Sequence, residues 1–233
     1  GLSSLVLDVK VGNGSFNSTI DIARDLSNSL VRVAKGAGLH CEAILTDMNQ
    51  VLGKSAGHTL EILECIKYIK NDFKDHRLEK ITNELISSLL VNIYKISKEE
   101  AYNKINTVIN NGLAAEKFEM MVAALGGPKN ILSSFEKDLI NTSIQKDIFS
   151  IEGGWIEKIH TRELGLILIE LGGGRKQVTD KIDYGVGYDN VLNIGDEVNS
   201  STPLLSLYSS KNIDDNLINK IKGCFIISDK KTQ

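Results

Sequence analysis

The side chains and backbone groups of this chain that could do chemistry gather at a few glycine-marked turns. Gly12-Asn13-Gly14 lies between the apolar run Leu5 to Val11 and a helical pattern. Its backbone N–H groups could converge on a phosphate there, with the dipole of the following helix favouring the anion. The dinucleotide fingerprint, however, needs a third Gly where Asn17 stands, and no Gly-Lys-Ser/Thr follows. A plain tight turn is the simpler reading. Glu64 lies near the loop Thr46 to Gly57, whose backbone carbonyls at Leu52 and Ser55 could join its carboxylate around a hard monovalent cation. By residue type alone Glu64 reads as a solvated helix residue. Asp8 and Lys10 share one strand face and read as a structural ion pair. His40, His58, His76 and His160 offer no pair at zinc-ligand spacing, and neither a Gly-x-Ser-x-Gly nor a local Cys–His pair supports a nucleophile.

The elements that must carry these residues follow from periodicity. Leu5 to Val11 predicts a strand, and Ile20, Ala23, Leu26, Leu30, Val33 and Ala37 recur at helical spacing until Gly36 and Gly38. Leu39 to Leu45 predicts a second, buried strand, which makes a parallel, right-handed β-α-β unit. The polar loop Thr46 to Gly57 then falls at the carboxyl end of a strand, where sites in α/β sheets usually lie. Leu60, Leu63, Ile66 and Ile69 predict a helix after it. Helical spacing continues from Leu78 to Ile93 and restarts at the capping box Ser97-Lys98-Glu99-Glu100. Asn111-Gly112 and Gly126-Gly127-Pro128 stop the next two helices, so residues 58–140 are expected to be mainly helical.

Near residue 143 the texture changes to short alternation at Trp155, Glu157 and Ile159, and one helix from Thr161 to Leu171 ends at Gly172-Gly173-Gly174. Gly195-Asp196-x-Val198 followed by Pro203 to Leu207 is a turn-and-strand pattern similar to small barrel-sandwich domains, without a modifiable Lys at a hairpin tip. The expected class is α/β. Residues 1–142 would form part of a mixed α/β sheet domain with helices, and residues 143–233 a small α+β domain, hammerhead or barrel-sandwich-like.

Composition narrows the function classes. Twenty-seven Lys+Arg against 30 Asp+Glu give a net charge of -3, with no basic stripe interleaved with aromatics, which argues against a nucleic-acid partner. Hydrophobic content of 42% excludes general disorder. No apolar stretch approaches the ~20 residues of a membrane span. The amino terminus has neither Met nor a basic n-region, which argues against a signal peptide and reads as a start in mid-domain. Cys41, Cys65 and Cys224 are odd in number, widely spaced and set in apolar patterns, as buried thiols of a reducing compartment are; a cytoplasmic location is expected.

Leu7-Asp8-Val9-Lys10-Val11-Gly12-Asn13-Gly14-Ser15-Phe16, Leu45-Thr46-Asp47-Met48-Asn49-Gln50-Val51-Leu52-Gly53, Gly57-His58-Thr59-Leu60-Glu61 and Gly172-Gly173-Gly174-Arg175 share their order and spacing with one family. The chain resembles the pyrimidine-nucleoside phosphorylases over essentially its whole length. Its Thr-Asp-Met-Asn-Gln-Val-Leu looks more like the bacterial thymidine type than the broader type with Ser-Asp-Met-Ser-Gln-Pro-Leu. The resemblance implies pentosyl transfer: phosphorolysis of thymidine to thymine and 2-deoxy-D-ribose 1-phosphate in pyrimidine salvage, with inorganic phosphate as cosubstrate and no organic cofactor. It also implies homodimers with a cleft that closes on substrate.

Carried over position by position, the resemblance places Phe16 at the edge of the base pocket. It matches the Leu52 and Ser55 carbonyls and the Glu64 carboxylate to ligands of a monovalent cation, potassium, which sets aside the solvated reading of Glu64. Ser55 stands where some relatives have Ala. The phosphate-binding Lys-x-Ser and glycine-rich segments, a base-contacting Arg and a Ser-x-x-Ser-Lys stretch are expected upstream of Gly1, so no catalytic residue is assigned here. The chain is expected to be a carboxyl-terminal portion, inactive alone and partnered by the missing amino-terminal part of the same enzyme. A non-catalytic binding module of the same fold, or an enzyme of broader base specificity, are the alternatives.

Overall fold

The computed structural model describes residues 2–139 and 144–231. In chain order its elements are β1 (Ser4–Val11), α1 (Ile20–Gly36), β2 (His40–Asp47), α2 (His58–Ile69), α3 (His76–Tyr94), α4 (Lys98–Asn110), α5 (Leu113–Ala124) and α6 (Ile131–Leu139). There follow β3 (Ile144–Phe149), β4 (Gly154–Ile159), α7 (Thr161–Leu171), β5 (Gly187–Asp189), β6 (Glu197–Val198), β7 (Pro203–Ser209), α8 (Asp215–Lys222) and β8 (Phe225–Ser228). The chain divides into two compact units, Gly1–Met48 with Lys67–Lys129 and Asn49–Ile66 with Asn130–Gln233. The boundary expected at 142/143 lies outside the described residues.

In the first unit β1 and β2 pair in parallel, from Ser4 opposite His40 to Val11 opposite Asp47, with α1 as the crossover. Thr19 caps α1 by accepting the Ile22 N–H at 3.4 Å, and Asp21 and Lys35 sit at the ends where the helix dipole favours them. The buried residues of α1 are Ala23 and Ser27. Small side chains let a helix approach a sheet closely, and the consequence is that Ile20, Leu26, Leu30 and Val33 are exposed. Of the periodic apolar stripe only Ala23 packs inward, and its larger members stay outside. In β2 only Cys41 and Thr46 are buried, so this strand is less enclosed than its composition suggests. Asp75 caps α3 through the Leu78 N–H at 2.9 Å. The capping box of α4 closes from both sides, Ser97 N–H to Glu100 at 2.8 Å and Glu100 N–H to Ser97 at 3.1 Å.

The second unit is built on two antiparallel sheets, ordered β3-β7-β5 and β6-β4-β8. The alternation expected along β4 is broken by a register shift between Ile156 and Lys158, which turns both Ile156 and Ile159 into the core. They pack with Ile148, Leu164, Leu204, Leu205, Leu207 and Val51. Helix α7 starts and stops where the sequence predicts, ending at Gly172 with φ +108°. The mixed α/β class, with small antiparallel sheets in its later part, is what the chain forms. Among the described residues no helix is long and apolar enough to cross a membrane.

Candidate functional site

The second unit brings Leu52, Ser55 and Glu64 into one short segment, the loop leading into α2 and that helix's second turn. Glu64 is only 7% exposed, so it is not a solvated helix residue. Its Oε1 accepts the Lys54 N–H at 2.8 Å and its Oε2 the Ser55 N–H at 3.1 Å. A buried carboxylate requires such partners. The loop comes this close because residue 53 is Gly: a Cβ there would stand 2.4 Å from Glu64 Oε1. Glu61, one turn earlier, accepts the Gly57 N–H at 2.9 Å, so two acids in the amino-terminal part of α2 serve its loop. A donor set of one carboxylate and two backbone carbonyls, as expected of Glu64, Leu52 and Ser55, would by its chemistry suit a hard cation and not a thiophilic metal. Among the described residues no three His, Cys, Asp or Glu side chains group to hold a metal ion.

The same loop is fastened to residues 184–196. Ala56 and Tyr188 exchange backbone hydrogen bonds of 2.9 and 2.7 Å, Val191 N–H donates to the Lys54 carbonyl at 2.9 Å, and Ile194 N–H donates to Gln50 Oε1 at 2.9 Å. Lys54 Nζ lies 3.1 Å from Asp196 Oδ2, and the Ser55 hydroxyl donates to Asp189 Oδ1 at 2.9 Å. A Cβ at Gly57 would meet the Val186 carbonyl at 2.5 Å, and one at Gly187 the Ala56 carbonyl at 2.6 Å. Both glycines are therefore required by close backbone approach. Gln50 stands in the Leu45–Gly53 segment and Asp196 in the Gly195–Val198 turn, but nothing local in either marks its partner, and Lys54 and Asp189 belong to no motif. His58 stacks edge-on against Tyr184 at 5.3 Å, an aromatic contact within this unit.

In the first unit the Gly12 to Asn17 turn uses its own N–H groups. Gly12 N–H donates to the Asn17 carbonyl at 3.0 Å, Gly14 N–H to the Met48 carbonyl at 2.8 Å, and Ser15 N–H to the Gly12 carbonyl at 3.0 Å. The Lys10 carbonyl accepts from the Ser15 hydroxyl and from Asn17 Nδ2 at 2.8 and 2.9 Å. With its donors committed inward, this is a tight turn and not an anion nest, and Gly12 supplies the φ of +127° that it needs. The turn carries Phe16 outward, 95% exposed. Lys10 Nζ and Asp8 Oδ2 stand 2.6 Å apart, and Asp8 also accepts from the Thr46 hydroxyl: a structural pair.

Arg77 of α3 donates to the Asp47 carbonyl and lies 3.2 Å from Asp47 Oδ2, fixing the carboxyl end of β2. Burial lowers the guanidinium's pKa, and Asp47 opposes that shift. Cys41 and Cys224 are buried, whereas Cys65 is exposed despite its apolar neighbours, because it falls on the outer side of α2. Burial, with Glu163 adding to it, pushes the Cys224 thiol up to about 11.

Residues 155–228 match the family described as pyrimidine nucleoside phosphorylase C-terminal domain. With the antiparallel sheets and the loop geometry, this sets the class to which the chain is similar. The particular relative is the thymidine phosphorylase of Colwellia psychrerythraea, 42% identical over 210 residues, an alignment that covers 90% of this chain and 48% of that protein. The resemblance to the carboxyl-terminal portion of thymidine phosphorylases is thus shown, and the chain spans about half the length of the curated relative it matches.

Proposed function

We propose that this chain is the carboxyl-terminal part of a thymidine phosphorylase, a pentosyltransferase of pyrimidine nucleoside salvage. The observation that carries the reading is 42% identity extending over 90% of the chain. In the reaction a phosphate oxygen attacks C1′ of thymidine, the C1′–N1 bond breaks, and thymine leaves with the bonding electrons and takes up a proton. The product is 2-deoxy-α-D-ribose 1-phosphate. Such chemistry relies on positioning and on stabilising charge on the departing base, with no covalent enzyme intermediate. The groups that hold phosphate and grip the pyrimidine are assigned upstream of Gly1, so this chain by itself is inactive and the complete protein works as a cytoplasmic homodimer.

Within this chain Phe16 borders the base pocket, its exposed ring available for contact with the nucleoside. Leu52, Ser55 and Glu64 would hold potassium, which supplies a fixed positive charge that organises the loop. Phe16→Ala in the complete protein raises the KM for thymidine about tenfold, roughly 1.4 kcal/mol, and leaves the KM for phosphate unchanged. Steady-state kinetics with each substrate varied checks this. Phosphate-dependent release of free base from thymidine and from uridine by the complete protein tests the reaction itself. Preference for thymidine supports the assignment, equal rates favour the broader base type, and no release from either substrate contradicts it.

A further inference from the structure

We propose that two polar clamps, Lys54 with Asp196 and Ser55 with Asp189, position the loop of the candidate cation site, which makes Asp189 and Asp196 positioning residues for potassium. The inference rests on the cation reading above and adds to it residues more than a hundred positions away in sequence. The separations are 142 and 134 residues.

Lys54 and Ser55 are each held from both ends. Lys54 donates its N–H to Glu64, accepts from Val191 at its carbonyl and reaches Asp196 with its ammonium. Ser55 donates its N–H to Glu64 and its hydroxyl to Asp189, and the next residue, Ala56, is bridged to Tyr188. A peptide plane whose N–H and flanking carbonyls are all committed cannot rotate freely, so the direction of the Ser55 carbonyl is set before any cation arrives. The acceptors are set as well. Asp196 Oδ2 receives the Asn193 N–H at 2.7 Å and Asp189 Oδ1 the Asn190 N–H at 2.8 Å, so neither carboxylate is a loose surface charge. Partners of this kind orient ligands and raise affinity without touching the metal.

The Lys54–Asp196 pair has a second effect. It commits the ammonium of Lys54, the residue whose backbone N–H donates to Glu64, to a different carboxylate. Without Asp196 that ammonium loses the partner that fixes it.

The test is a KCl titration of the melting temperature of the complete protein, with choline chloride holding ionic strength constant. For Asp196→Asn the half-saturating potassium concentration rises about tenfold, and for Ser55→Ala, which keeps the carbonyl and loses only the hydroxyl, about threefold. Lys54→Arg retains the pair and stays near the parent value. Glu64→Gln abolishes the potassium response. A purely structural role for the clamps lowers the melting temperature without potassium and leaves half-saturation unmoved. That result in both Asp196→Asn and Ser55→Ala, with Glu64→Gln unresponsive, overturns the clamp proposal and leaves the cation site standing. An undiminished response in Glu64→Gln overturns both. If Asp196→Asn does not fold, Ser55→Ala decides alone.

Discussion

On β7 of the second unit Leu204, Leu205 and Leu207 are at most 1% exposed, whereas on α1 of the first unit Ile22, Leu26, Leu30 and Val33 are 41–70% exposed. Both sets are aliphatic; the α1 set recurs at helical spacing, while the β7 set lies on both faces of its strand, and both faces are enclosed. The difference lies in what faces them: β7 is the middle strand of its sheet and its side chains meet α7 and β4 residues in one core, while α1 turns its small residues, Ala23 and Ser27, to the inside. Periodicity in a sequence therefore finds an apolar stripe without telling whether that stripe is covered. Burial, which decides energetics, depends on a partner element that the stripe itself does not encode.

This contrast makes a graded set of predictions. Leu205→Ala removes a fully enclosed side chain and destabilises the second unit by about 2–5 kcal/mol, whereas Leu30→Ala on α1 costs well under about 1 kcal/mol. Urea unfolding followed separately for each unit measures both, and equal costs would break the comparison. Gly187→Ala forces a Cβ against the Ala56 carbonyl and costs about 1–3 kcal/mol in the second unit, read as a lowered urea midpoint. Ser97→Ala opens the α4 capping box and costs the first unit about 1 kcal/mol, seen in the same measurement.

The smallest effect is a pH dependence in the first unit. Hydrogen bonds from Lys98 and then Tyr102 hold the Glu84 carboxyl below its ordinary value of 4.5. A carboxyl lowered by folding adds stability above its unfolded pKa, and that stability is lost as pH falls through the folded value. The group is solvent-screened, so the loss amounts to less than about 1 kcal/mol. Glu84→Gln makes the stability of the first unit correspondingly less dependent on pH below 4.5, followed by urea unfolding across that range. An unchanged slope would remove Glu84 from the account.

Much of the architecture was legible because it is local. The Ser97–Glu100 box, the Gly172 stop of α7 and the apolar run of β1 announce themselves within a few residues, and the elements form there. The β4 register shift was not legible, since nothing at Glu157 marks a bulge until the partner strand is known. The burial of Glu64 depends on Gly53 allowing the loop to close on it, a contact between residues eleven positions apart. The clamps on Asp189 and Asp196 were beyond reach for the same reason in stronger form, because an exposed-looking Asp in one turn carries no record of a Lys or Ser far upstream. Cys65 failed in the opposite sense: its neighbours are apolar, but its own side of α2 faces outward. Resemblance to a family supplied the candidate ligands, and the physical setting of each came only from the fold.

The most direct test of the central claim is to assay thymine release from thymidine with inorganic phosphate, comparing this chain alone with the complete protein that contains it. The account predicts turnover by the complete protein and none by the chain. Turnover by the chain at the rate of the complete protein would contradict it, because the phosphate- and base-holding groups would then have to lie within these 233 residues.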